Sequence, residues 1–134
     1  MALGIGFGGP AKMTGDQVLG DTTTEALTVN GKFNVGAPAS VTIATGAFTM
    51  GDAVRHIVTG EGGAADDLDT INGAGSTLFI TLQPVDSSND ITVKDGTGNL
   101  RLEGDFVMDH TDDRIFLMAA GAIWYEISRS NNAT

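Results

Sequence analysis

Over Asp90–Ser130, the last third of this chain, apolar and polar residues alternate in short runs, and Gly, Asp and Asn clusters interrupt them about every eight to ten residues. Ile91/Val93, Leu100/Leu102 and Phe106/Met108 are the clearest pairs. A period of two sends neighbouring side chains to opposite faces of a strand. Only Gly51–Val58 offers a helical spacing, and its β-branched residues count against it. The 19 glycines and the 18% of charged residues also favour turn-dense β-structure. About ten strands in ~110 residues predict an all-β, antiparallel β-sandwich, jelly-roll-like or barrel-like domain.

The pattern divides the chain in two. Residues 1–25 read as an extended, glycine-rich N-terminal arm, and 26–134 as a β-rich module within one domain's length. In the arm, Leu3, Ile5 and Phe7 alternate with glycines, and Lys12–Glu25 is polar. Starting at Met1, the chain reads as complete. In the module, Asn30-Gly31 lies between Leu27/Val29 and Phe33/Val35, which is a hairpin signal. Strands are expected at Val41–Ile43, Phe48–Met50, Val54–Thr59, Leu68–Ile71 and Thr77–Gln83. Further strands are expected at Ile91–Lys94, Asn99–Leu102, Phe106–Met108, Arg114–Met118 and Ile123–Arg129, and Gly60–Asp67 reads as a flexible loop. Thr77–Gln83 is apolar on one face through Leu78, Ile80 and Leu82. Phe79 adds an apolar residue on the other, as expected of a central strand or one covered by a partner.

Charge and composition remove whole classes of function. A net charge of −10 and a pI near 4.2 are poor for nucleic acid, because phosphate contacts need Lys and Arg and the seven present are scattered. Acidity suits a partner with a basic surface, or solubility at high copy number. With no cysteine, disulfides and thiolate metal sites are excluded. Ala2–Pro10 is too short and glycine-rich for a signal peptide, and no apolar run approaches the ~18 residues of a membrane span.

Few residues point to chemistry. Asp66/Asp67/Asp69, Asp109/Asp112/Asp113 and Asp95–Asn99 are oxygen-rich, as Ca²⁺ loops are, yet none has EF-hand spacing. Asp, Asn and Gly in turns serve their own backbone equally well. His56 and His110 lack the i,i+4 or HxH spacing of a metal pair. There is no GxSxG, and the GIGFGG run at Gly4–Gly9 has neither a strand before it nor a helix after it. Trp124, Tyr125 and Phe116 form either a sugar-stacking platform or, for Trp124 with Ile127, an anchor of the core or a subunit contact. No catalytic residue, cofactor or metal ligand is assigned. A small hydrolase or lyase on a jelly roll finds no catalytic cluster here.

The run VKDGTGNLRLEGDFVMD at Val93–Asp109, followed by WYEISRS at Trp124–Ser130, resembles a C-terminal module of bacteriophage virion proteins. That module occurs in tail fibres, head fibres and capsid decoration proteins. The similarity spans most of Leu68–Ser130, and LTVNGKFNV at Leu27–Val35 resembles the glycine-punctuated repeats of fibre shafts. The chain departs from long fibres in being short and in lacking a coiled coil or a repeat shaft. The resemblance implies a non-enzymatic structural protein of the virion, assembled in the host cytoplasm. Its first expectation is a trimeric capsid decoration, or cement, protein that binds and stabilises the major capsid protein shell. The alternative is a short head or tail fibre, or fibre tip, that recognises host surface glycans. Partners are then other copies of the chain, as a homotrimer, and the major capsid protein or other virion proteins, without nucleic acid or membrane. Leu3, Ile5 and Phe7 are the expected capsid or subunit contacts, and Phe79, Trp124 and Ile127 the expected core or trimer contacts.

Overall fold

The computed structural model describes residues 30–73 and 77–132, with backbone alone at 77 and 78. The expected arm at 1–25, its boundary with the module and the Leu27–Val29 strand lie outside these residues. The described β-structure belongs to one compact unit beginning at Asn34.

Eleven strands form it. They are β1 (Ala39–Thr42), β2 (Ala47–Thr49), β3 (Arg55–Thr59), β4 (Asp66–Leu68), β5 (Thr70–Asn72), β6 (Thr77–Pro84), β7 (Ile91–Val93), β8 (Leu100–Arg101), β9 (Phe106–Met108), β10 (Arg114–Ala120) and β11 (Ile123–Ser130). A six-stranded sheet runs β1-β3-β6-β10-β11-β8, a three-stranded sheet β4-β7-β9, and a pair β2-β5. The described residues are all-β apart from a 3₁₀ turn at Glu61–Gly63.

The pairing corrects the antiparallel sandwich, jelly-roll or barrel expectation. Five of the eight ladders are parallel: β1/β3, β3/β6, β2/β5, β4/β7 and β11/β8. Among the described residues β6/β10, β10/β11 and β7/β9 are the antiparallel ladders, beside an isolated antiparallel bridge between Ala44 and Ala47. Most turns carry the chain sideways into another sheet. A strand then meets its partner one circuit later, so Ala39 lies beside His56 and Arg55 beside Thr81. The result is a short, solenoid-like coil closed by the β10–β11 hairpin, whose tight turn holds Gly121 at φ +63°. Parallel partners need a crossover, usually a helix; here strands of the smaller sheets make it.

Two local expectations also change. Phe33–Val35 forms no strand, because the Asn34 side chain accepts the Gly36 N–H (2.9 Å) and turns the backbone with Gly36 at φ +85°. The expected loop at Gly60–Asp67 ends in β4, whose Leu68 is buried and whose partner is β7.

The coil encloses one core, in which Ile43, Val58, Leu68, Ile71, Ile80, Leu82, Leu117 and Trp124 are fully buried. Alternation does this work: along β10, Ile115, Leu117 and Ala119 point inward and the residues between them outward. Burying such side chains contributes about 1.5–3 kcal/mol each.

Candidate functional site

Cross-strand register places the outward residues of the six-stranded sheet in rows. One row reads Phe79–Met118–Tyr125–Arg101 across β6, β10, β11 and β8. The next reads Arg55–Thr81–Phe116–Ser128 across β3, β6, β10 and β11. Phe79, Met118, Tyr125 and Ile127 are 44%, 41%, 45% and 50% exposed, so the apolar surface is continuous over three strands. Phe79 and Phe116 meet edge to face at 5.8 Å, which holds both rings in place. A register shift between Phe116 and Leu117, a bulge, leaves Ile127 on β11 beside these rows.

The charge within these two rows is one-signed. Arg55 and Arg101 lie in them and no carboxylate does, and Arg114 stands two residues before Phe116 on β10. None of the three arginines forms an ion pair among the described residues. Arg101 donates to the Leu100 carbonyl (2.6 Å) and Arg114 to the Thr111 and Asp113 carbonyls (2.6 Å each). In a chain of net charge −10, two of the seven basic residues thus fall in rows without a carboxylate, while Glu103 and Glu126 line a cleft with Ile127 and Ser128 at the border of this face.

The three-stranded sheet presents the opposite sign. Asp67, Thr92 and Val107 lie in register across β4, β7 and β9. With Ala65, Asp66 and Asp90 they line an open concavity of about 560 Å³. Asp66 is occupied by the Glu61 and Asp67 backbone N–H groups (2.8 and 2.9 Å). Lys94, the nearest cation, pairs with Asp105, and this hydrogen bond chiefly raises the Lys94 pKa and lowers that of Asp105. Val107, 41% exposed, is the apolar element of this face.

The expected contact residues separate. Leu3, Ile5 and Phe7 lie outside the described residues. Phe79 and Ile127 are on the outer surface, whereas Trp124 is fully buried and donates from Nε1 to the Ile71 carbonyl (3.1 Å). Trp124, Tyr125 and Phe116 therefore form no common platform, since Trp124 faces the core.

The polar clusters serve the backbone. Asp113 is buried and accepts the Asp109 and His110 N–H groups (3.0 Å each) and that of Asn132 (2.6 Å). Burial acts to raise its pKa, but these backbone donors outweigh it and the carboxyl sits below its usual value. His56 is buried against Phe48, and neither ring nitrogen has a hydrogen-bond partner among the described residues. Burial lowers its pKa from 6.5. His110 lies in a different turn, so the two histidines share no site. Among the described residues no group of three or more His, Cys, Asp or Glu is placed to hold a metal ion, and no helix is long and apolar enough to cross a membrane.

Asn99, expected from sequence in a polar turn and at the start of a strand, bonds across to β5 as well. Its side chain accepts the Ile71 N–H (3.0 Å) and donates to the Ile71 and Ala122 carbonyls (2.9 Å each). It thus continues the β2–β5 stack by one further position. Met118 and Tyr125 fall in expected strands, but neither their outward direction nor their place beside Phe79 was read from the sequence.

No protein-family model, curated protein or solved structure matches this chain.

Proposed function

We propose that this protein is a non-enzymatic structural component of a bacteriophage virion, acting as a trimeric capsid decoration protein that binds and stabilises the major capsid shell. The observation that carries the reading is the exposed Phe79–Met118–Tyr125 row with Phe116 and Ile127 beside it. A contiguous apolar surface across three strands is what subunit contacts are made of. The resemblance of Val93–Asp109 and Trp124–Ser130 to virion modules supplies the setting. In this reading the solenoid-like coil is the rigid body, and Leu3, Ile5 and Phe7 contact a neighbouring subunit or the capsid protein.

A second reading, a short fibre or fibre tip that binds host glycans, draws on Tyr125 and Arg101 side by side on the outer face. An exposed aromatic ring beside an arginine suits a sugar.

Size-exclusion chromatography with light scattering tests the first reading. The expected mass is three times the 13.8 kDa chain. A stable monomer at micromolar concentration argues against it, and binding to a glycan array by a protein that does not bind capsids would favour the second.

A further inference from the structure

We infer that copies of this chain associate head to tail, the apolar and basic outer face of the six-stranded sheet packing against the acidic concavity of the three-stranded sheet of the next copy. This rests on the homo-oligomeric reading and specifies its interface. A closed ring of more than two identical subunits needs two different, mutually fitting faces on each chain, since such interfaces are heterologous.

The two faces have the matching properties. One carries Arg55 and Arg101 around the protruding Phe79, Met118 and Tyr125, with no carboxylate in its rows. The other is a concavity with Asp67 and Asp90 around the exposed Val107. Among the described residues neither arginine forms an ion pair with a carboxylate, and neither Asp67 nor Asp90 forms one with a cation, Lys94 acting on Asp67 only through space. Chains of net charge −10 repel one another, so approach is favoured where a positive surface meets a negative one. Packing the same face against itself would oppose arginine to arginine in one case and aspartate to aspartate in the other.

The absence of cysteine makes a direct test available. Thr81, at the centre of the first face, and Thr92, at the centre of the second, are each replaced by cysteine in separate full-length proteins. Either variant alone, treated with a short bifunctional maleimide, should stay uncross-linked. The two mixed should give a linked dimer carrying one of each. Cross-linking of Thr81→Cys or Thr92→Cys with itself would show a face-to-same-face contact and overturn the proposal. An oligomer by light scattering without mixed cross-links would overturn this interface while leaving the homo-oligomeric reading intact, and a monomer would remove both. In a second measurement, the double reversal Arg55→Asp with Arg101→Asp should raise the concentration needed for assembly at least about tenfold. Adding Asp67→Arg and Asp90→Arg to the same chain should recover most of the loss. Failure of that recovery, with each variant's circular dichroism unchanged, counts against the pairing.

Discussion

His56 occupies an inward position of β3 with Ala39 and Leu82 beside it and the Phe48 ring at 5.7 Å, so its imidazole must enter the core uncharged. Its folded pKa is lowered by burial, so between that value and the ordinary 6.5 the unfolded chain binds the extra proton. The folded state is therefore favoured above 6.5, and stability drains away as pH falls from there toward the lowered value. Replacing His56 by leucine removes two buried nitrogens without partners and the titration together. The variant should be more stable at pH 7 by about 1–3 kcal/mol, and the gap should widen as the pH falls from 6.5 to 5. Urea midpoints of the two proteins across that range check it, and parallel curves would contradict it. Asp113 loses its contribution further down, as pH falls through the usual carboxylate range toward its lowered folded pKa.

At the level of elements, the turn at Asp95–Asn99 is the joint between β7 and β8, and it is built against the end of β4 and the start of β5. Thr97 Oγ1 donates to Asp69 Oδ1 (2.8 Å), and Asn99 completes the stack on Ile71. Gly98 passes so close that a Cβ would lie 2.2 Å from the Asp69 carbonyl oxygen and 2.2 Å from Thr70 Oγ1, at φ +51°. Gly96, at φ +72°, has open space around it. Gly96→Ala should therefore cost only the left-handed backbone penalty of about 1–2 kcal/mol. Gly98→Ala must also displace backbone and should cost clearly more, and Asn99→Ala about 1–3 kcal/mol for its lost partners. Thermal denaturation of the three variants orders them, and equal losses at Gly96 and Gly98 would show that the turn does not bear on β5.

For the whole molecule, the proposed attachment to a capsid assigns the coil and the N-terminal segment separate tasks. Leu3, Ile5 and Phe7 sit among Gly4, Gly6, Gly8 and Gly9, whose freedom makes ordering costly without a partner surface. Three such side chains contribute ~1.5–3 kcal/mol each when buried. Deleting residues 1–12 should leave the circular dichroism of the β-domain unchanged and abolish binding to undecorated capsids. Full occupancy by the truncated protein, measured by cosedimentation, would mean that the anchor lies elsewhere. Unfolding on truncation would make these residues part of the core.

The positions of most strands were legible because alternation is a local property: Ile91–Val93, Phe106–Met108 and the apolar face of β6 through Ile80 and Leu82 follow from period two alone. The same property explains what was not legible. A strand presents the same two faces to a parallel and to an antiparallel neighbour, so alternation carries no information on partner or direction. That β1 pairs with β3 rather than β2, and β4 with β7, is decided by closing the coil around a single core from Ile43 to Trp124. The strand at Asp66–Leu68 was hidden for a related reason, since only Leu68 faces inward and its pairing comes from β7. The apolar character of Phe79, Met118 and Tyr125 is in the sequence. Their adjacency, the carboxylate-free rows they belong to and the acidic concavity exist only once register across the strands sets which outward side chains become neighbours.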